Sequence, residues 1–548
     1  MRHLGLGRAI AHLAVTLVFI ATMGGTAAAF DLSSASRDGD RLARALDAGR
    51  KGNWRQADSI AGESGDLLVR DLVTWRKLHA GRGSFEEYNS LVSRRGRWPG
   101  HDRLAVEHFG ARPDTGSDGM TSRSRQLWSA FSRRWNRKQY DEAESYLASI
   151  TEVESNLGNP ERWADRRAAL ARRAARLGRP EVGYLLASQH YLTSEAGYDY
   201  AELEWLAGWV ALRMMADPAA AVVHFEAFLT AVETPISLGR GGYWLGKAQE
   251  AAGNPDAAAR AYRIAAVHQT SFYGQLAAER LGLAGSPRLV MGELPDWERS
   301  PAVRSDDVRA AVLLHYAGET AFARRFFIVL GKTMEGKAAL GALADLALAL
   351  DRPNYAVRLA KTAARRGILL YPAYYPLTDL AEYAGVVEPA FAMSVARQET
   401  ELDPRAVSPA GARGLMQLMP RTAKRVAQWI GEPYSLARLT DDWQYNARLG
   451  QTYLARRRDQ FGGSYVMAAA AYNAGAHRVD RWVEEFGDPR GAEVDMIDWI
   501  EMIPFDETRN YVQRVMEGLY VYRSRLTGVA GPMTLGADLA RGTGRQGG

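Results

Sequence analysis

The 548-residue chain contains no cysteine. Disulfides, thiolate metal centres and a lipid attached through a processed cysteine are therefore excluded. Long apolar runs are also missing. Beyond the first thirty residues no stretch approaches the ~20 apolar residues that a bilayer-spanning helix needs. Neither sign of charge dominates: 69 Lys and Arg face 63 Asp and Glu, for a net charge of +6. The basic residues are scattered among acids, without a helix-turn-helix, zinc-finger or RNA-recognition pattern, so no nucleic-acid partner is expected. No His, Asp and Glu cluster has metal-ligand spacing, so neither a metal nor another cofactor is expected; His477 reads as a surface helix residue. Strand-like alternation is scarce as well.

What is present begins with an export pattern. Arg2 and Arg8, with His3 between them, precede an apolar Leu13–Met23 segment and the Ala27-Ala28-Ala29 triplet before Phe30. These features predict a secretory signal peptide over 1–29, too short and wrongly flanked for a membrane span, with an uncleaved N-terminal anchor as the alternative; the expected mature protein is soluble and periplasmic.

From about Asp40 to Gly367 the chain reads as successive short helices. Trp244-Leu245-Gly246 with Ala258, Tyr262 and Ala265 match a tetratricopeptide-type helical pair, turned at Gly253-Asn254-Pro255. Trp205-Leu206-Ala207-Gly208, a break at Asp217-Pro218 and Phe225 form a related unit. Weaker echoes occur at Trp54 with Ala57 and at Tyr140 with Ala143. Small residues let helices approach while aromatics fill the neighbouring groove, and stacked pairs give a curved solenoid. A Gly- and Pro-rich stretch from Ala284 to Pro301 marks a domain boundary, and 302–370 reads as further helices. The expected organisation is a helical solenoid over 30–283, a linking helical domain over 284–375, a C-terminal α-rich domain over 376–527, and a flexible Gly-rich tail over 528–548. The fold class is mostly α.

The C-terminal domain carries the chemistry. Glu388 to Leu402 reads as a helix on which Phe391, Val395 and Glu399 share one face. That face is otherwise apolar and turns Glu399 towards the protein body; Asp403-Pro404 stops the helix. Partial desolvation raises a carboxyl pKa and suits it to general-acid work. A Glu that merely ends a helix beside Arg397 is the plainer alternative for the residue taken alone. Asp403, followed by Pro404, reads as a turn or cap residue.

Four blocks set Glu399 in context: Arg397-Gln398-Glu399-Thr400, Gly414-Leu415-Met416-Gln417 with Met419-Pro420, Ala471-Tyr472-Asn473-Ala474-Gly475, and Ile503 through Val512. Their types and order resemble the soluble lytic transglycosylases, a lysozyme-like family that cuts cell-wall peptidoglycan. Thr400 departs from the family's usual Ser but keeps the hydroxyl. The resemblance implies that Glu399 is the catalytic residue, first acid and then base, and that it forms 1,6-anhydro-muramic ends without a second carboxylate. It implies substrate contacts at Ser408, Met416, Gln417, Met419, Tyr472 and Asn473, with Glu501 and Tyr511 as further candidates for the cleft wall. Core packing is the alternative for Tyr511 and Met419, and a solvated helix face for Glu501. Asn446, Gly450 and Tyr453-Leu454 would support the cleft from an amphipathic helix, and Arg456-Arg457-Arg458 would lie on its solvated side, with weak attraction to an anionic wall polymer as the alternative. The resemblance also implies a superhelical N-terminal body and peptidoglycan strands as the partner. Two other readings stay open: a lysozyme-type hydrolase using Glu399 with water, and a wall-binding helical-repeat scaffold without activity.

Overall fold

A computed structural model describes residues 31–109 and 119–542. The expected signal peptide and residues 543–548 of the expected tail lie outside the described residues. Among the described residues regular structure is helical throughout, and strand-like pairing is limited to the isolated bridges Ala284–Pro532, Val407–Arg413 and Arg413–Leu418.

Helices Pro235–Ala251 and Pro255–Ala266 pack as the pair that the sequence implied. A Cβ at Gly246 would stand 2.5 Å from the Tyr262 ring, so only glycine lets the aromatic seat there. Gly208 receives Phe225 in the same way, between helices Tyr198–Arg213 and Pro218–Thr230. Trp205, Trp209 and Trp244 fill the buried grooves between these layers.

The superhelix closes on itself. Helix Leu32–Arg50 lies against Asp306–Tyr316, with Gly39 so close to Tyr316 that a Cβ would come within 2.4 Å of that side chain. Arg50 pairs with Glu319 at 2.9 Å, Arg309 with Asp66 at 2.8 Å, and the Trp98 indole donates to Asp307 at 3.0 Å. Trp75 sets its ring edge-on to Phe322 and Phe326. The first helices of the solenoid are thus joined to helices that follow it in sequence, an arrangement that no local periodicity announces.

The C-terminal domain is built on helix Asp506–Thr527, against which helices Pro389–Thr400 and Tyr465–Ala474 pack. Gly518 admits Ser394, whose hydroxyl donates to the Val515 carbonyl at 2.6 Å. Tyr465–Ala474 is buried on every side through Ala471, as expected of a central helix, and carries Tyr472 and Asn473 near its end.

The expectation of a flexible tail from Gly528 is corrected over 528–542. Residues Gly285 and Ala284 pair with Gly531 and Pro532, and helix Leu535–Leu539 buries Leu535 and Leu539. Asp538 accepts from Arg523 at 2.6 Å, and the Gly536 amide donates to Glu279 at 2.8 Å. Glycine-rich composition removed the periodic signal, while two buried leucines and these bonds fix the segment.

Candidate active site

Helix Pro389–Thr400 ends two residues before the expected stop. Glu401 and Leu402 take left-handed conformations, with φ of 57° and 70°. Such backbone is costly for non-glycine residues and persists only where surroundings hold it. Here Arg358 and Lys361 grip the buried Glu401 carboxylate. Asp403 then serves the turn, accepting from the Arg405 amide at 3.0 Å and from Asn354 at 3.1 Å.

The loop that follows is sewn to its supports by side-chain amides and hydroxyls. Asn446, fully buried, accepts from the Met416 amide at 2.8 Å and donates to the Arg413 and Leu439 carbonyls at 2.9 and 3.0 Å. Gly414 sits at φ +75°, and a Cβ there would meet the Leu439 carbonyl at 1.9 Å, so no other residue fits. Gln417 also has positive φ, and its amide donates to the Ala406 and Gly414 carbonyls. The Thr400 hydroxyl reaches the Leu415 carbonyl at 2.8 Å and accepts from the Asp403 amide, tying the end of the Glu399 helix to this loop. That role needs only the hydroxyl, which Thr shares with Ser.

Glu399 stands where these pieces meet. The Tyr511 hydroxyl donates to its Oε1 at 2.7 Å; among the described residues Oε2 has no hydrogen-bond partner. Burial pushes the Glu399 carboxyl up to about 7, with the nearby Glu507 charge adding to the rise and the Tyr511 bond opposing it. Tyr511 itself is driven well above the usual phenol range by burial and by the Glu399 and Tyr472 groups around it. Tyr472 donates to the Met416 carbonyl at 2.7 Å, and Thr508 donates to Asn473 Oδ1 at 2.6 Å, which leaves the Asn473 amide nitrogen to point elsewhere. One poised acid, a phenol on its first oxygen and amide or hydroxyl groups around it can deliver a proton and take one back.

The structure brings Glu399, Tyr472, Asn473 and Tyr511 together and sets the Gln417 loop beside them. Ser408 is partly exposed in a tight turn, its hydroxyl accepting from the Ala412 amide at 3.0 Å. Met419 is exposed, which removes the core-packing alternative for it. Tyr511 is buried and acts on Glu399 rather than forming an open cleft wall.

Two expected substrate contacts are corrected. The Met416 side chain is buried and packed onto Gly450, so only its backbone faces polar partners. Glu501 is neither on a cleft wall nor on a solvated face. It is fully buried between the superhelix and the C-terminal domain, where Arg240 pairs with it at 3.0 Å and Gln513 donates to it at 2.8 Å. Tyr273 donates to the same carboxylate, and Arg172 and Arg509 lie at 3.6 and 3.8 Å. The reason is that helix Met496–Met502 turns this side towards the superhelix. Thr508 and Glu507 were not singled out in the sequence, although both lie in the fourth motif block. Among the described residues no group of His, Asp or Glu is arranged to hold a metal, and no helix is long and apolar enough to cross a membrane.

Residues 377–494 match the family described as the transglycosylase SLT domain. The soluble lytic murein transglycosylase of Escherichia coli K12 is 40% identical over 135 residues, which is 24% of this chain and 20% of that protein. Its Salmonella typhimurium counterpart is 38% identical over 138 residues, 25% of this chain and 21% of that protein. The aligned segment thus spans about a fifth of the relatives' own length. In three dimensions the likeness is broader. An inactive mutant of the lytic transglycosylase Slt from Pseudomonas aeruginosa superposes with TM-score 0.53 at 22% identity, covering 91% of this chain and 83% of that one. The 70-kDa soluble lytic transglycosylase of Escherichia coli gives TM-score 0.51 at 19% identity, covering 93% of this chain and all of that one. At these identities the superpositions establish a shared fold.

Proposed function

We propose, from a single poised acid inside a domain of the transglycosylase SLT family, that this protein is an exported peptidoglycan lytic transglycosylase. The observation that carries it is Glu399: a carboxyl that burial pushes up to about 7, with one oxygen held by Tyr511 and the other without a hydrogen-bond partner among the described residues. Of the other carboxylates, Asp403 caps a turn and Glu501 is locked elsewhere, while Glu507 stands exposed, near enough for its charge to raise Glu399. In its protonated form Glu399 gives its proton to the glycosidic oxygen as the C1–O bond of the muramic residue breaks. The resulting carboxylate then takes the proton from the C6 hydroxyl of the same residue while O6 bonds to C1. Atoms balance without water, and the acid is restored. Neighbouring N-acetyl groups can stabilise the cationic centre in place of a second carboxylate. Ser408, Gln417, Met419, Tyr472 and Asn473 line the approach for the glycan strand. The solenoid, closed by its contacts with 306–326, forms the body beside that approach.

Mass spectrometry of products released from purified cell-wall sacculi tests this. Products one water lighter than hydrolysis products, with 1,6-anhydro ends, are expected. Reducing ends would instead make Glu399 the acid of a lysozyme-type hydrolase, and binding without release would make the protein a scaffold.

Replacing Tyr511 by Phe removes the one bond that favours ionised Glu399. We expect kcat/KM to fall by about tenfold, the scale of one hydrogen bond to a charged group. We also expect the alkaline limb of the pH–rate profile to move to higher pH, because that bond lowers the Glu399 pKa. An unmoved limb in purified Tyr511→Phe enzyme contradicts the role given to Tyr511.

A further inference from the structure

Behind the Glu399 helix, on the side that Gln398 faces, lies a second cavity that encloses about 240 Å³. It sits where superhelix, linking helices and C-terminal domain meet, and none of the cleft residues above lines it. Four cationic side chains border it, Lys361, Arg365, Arg397 and Arg514, against one acid, Glu517. Lys361 is committed to Glu401 at 2.9 Å. Arg514 is paired with Glu517, whereas Arg365 and Arg397 have no salt-bridge partner among the described residues. Arg397 is 3% exposed, donates through Nε to the Tyr374 carbonyl at 2.7 Å and stacks on the Tyr375 ring, yet its buried Nη2 has no hydrogen-bond partner. Arg514 Nη1 lies 3.2 Å from Glu517 but is likewise buried without an aligned hydrogen bond. Arg365 is exposed at the rim and has no acidic partner among the described residues.

Unmet guanidinium donors in a concave, partly apolar space are costly unless something accepts from them. Glu517 is a weak competitor for them. Its Oε2 already accepts from the Phe272 amide at 2.8 Å, and burial pushes its carboxyl up to about 7 against the pull of Arg514 and Arg397. The Thr234 and Thr270 residues add polar groups on the superhelix side, and Ile236 and Leu369 add apolar wall. Planar guanidinium forks match oxyanions best.

We infer that this junction cavity is a binding site for a small oxyanion, a carboxylate or phosphate group on a compact body, held by Arg397 and Arg514 with Arg365 at the entrance. Nothing in this depends on the reaction proposed for Glu399. An anion here would bridge all three parts of the chain and bear on the helix that carries Glu399.

Isothermal calorimetry on the full chain at pH 6, with chloride-matched ionic strength, tests the site using N-acetylalanine and inorganic phosphate as separate probes. Saturable binding of either probe, weakened at least tenfold both by Arg365→Glu and by Arg514→Gln, is expected. The probe that binds tells whether the natural ligand presents a carboxylate or a phosphate. Arg365→Glu changes an exposed residue, so a folding defect in the buried variant does not remove the test. Absence of saturable heat with both probes, or binding unchanged in Arg365→Glu, overturns the site.

Discussion

Glu399→Gln is expected to lower murein cleavage by about 10³-fold or more while making the protein more stable above neutral pH. The first part follows because one residue supplies both proton transfers, each of which is worth about 10²–10⁴-fold. Gln keeps the shape and can still accept the Tyr511 hydrogen bond, so the cleft survives and only the proton is lost. The second part follows from linkage. The Glu399 carboxyl titrates about 7 in the folded chain against 4.5 ordinarily, mainly through burial. A raised carboxyl pKa leaves stability intact below pH 4.5 and removes it progressively as pH climbs to about 7. Above that the ionised, buried group costs up to about 3 kcal/mol. Denaturant midpoints should therefore coincide for the two proteins near pH 4 and separate in favour of Gln by pH 8. Activity falls in the same direction: the acid form of Glu399 is lost as pH rises through about 7. Retained cleavage by Glu399→Gln removes Glu399 from the reaction, and coincident midpoints at pH 8 show that its carboxylate is not desolvated.

Arg240→Leu is expected to destabilise the chain by about 3–5 kcal/mol, the cost of leaving a buried charge without its partner. Arg240 pairs with Glu501 and with Glu202, both at 3.0 Å, and its guanidinium lies over the Trp205 ring. Burial alone would raise Glu202 and Glu501, yet the surrounding arginines hold both below the usual range, Glu202 at about 2. Burial also works against Arg240, but Glu501 and Glu202 more than compensate and keep it firmly protonated. Arg509, by contrast, is pushed down by burial and by Arg172 beside it. Arg240 is thus the foremost cation on Glu501, while Glu202 leans on Arg172 first and on Arg240 next. Buried ion pairs are poor sources of net stability, and their use here is to fix how the superhelix docks on the domain that carries Glu399. The double variant Arg240→Leu with Glu501→Gln should recover part of the loss, since it deletes one stranded charge. Guanidinium unfolding of both variants measures this, and a single-variant loss below about 1 kcal/mol would mean that solvent reaches the network.

Much of the site was legible because its signals are local. Glu399 falls on an apolar helical face with Phe391 and Val395, and Asp403-Pro404 signals a stop close to where that helix ends at Thr400. The Gly-led loop and the Tyr472-Asn473 pair stand in motif blocks whose chemistry survives without coordinates. Met416 was misplaced because a methionine in a Gly-led loop reads alike whether its side chain points into a cleft or onto Gly450. Glu501 was misplaced because an acid on a short helix gives no sign of the Arg240 that meets it 261 positions away. The docked segment after Gly528 escaped notice for a related reason: five helical residues are too few to show a period.

By itself the sequence determined the helical class, the Gly-and-aromatic pairing of helices such as Pro235–Ala251 with Pro255–Ala266, the position of the acid and the residue types around it. Each depends on turn chemistry or on spacing within a few residues. Tertiary structure alone decided that the solenoid closes through Leu32–Arg50 against Asp306–Tyr316, that Glu501 belongs to a buried ion network, and that Tyr511 comes to rest 2.7 Å from Glu399 across 112 positions. Those outcomes turn on which faces meet when distant segments are buried together, and burial is what raises the Glu399 pKa to a useful value.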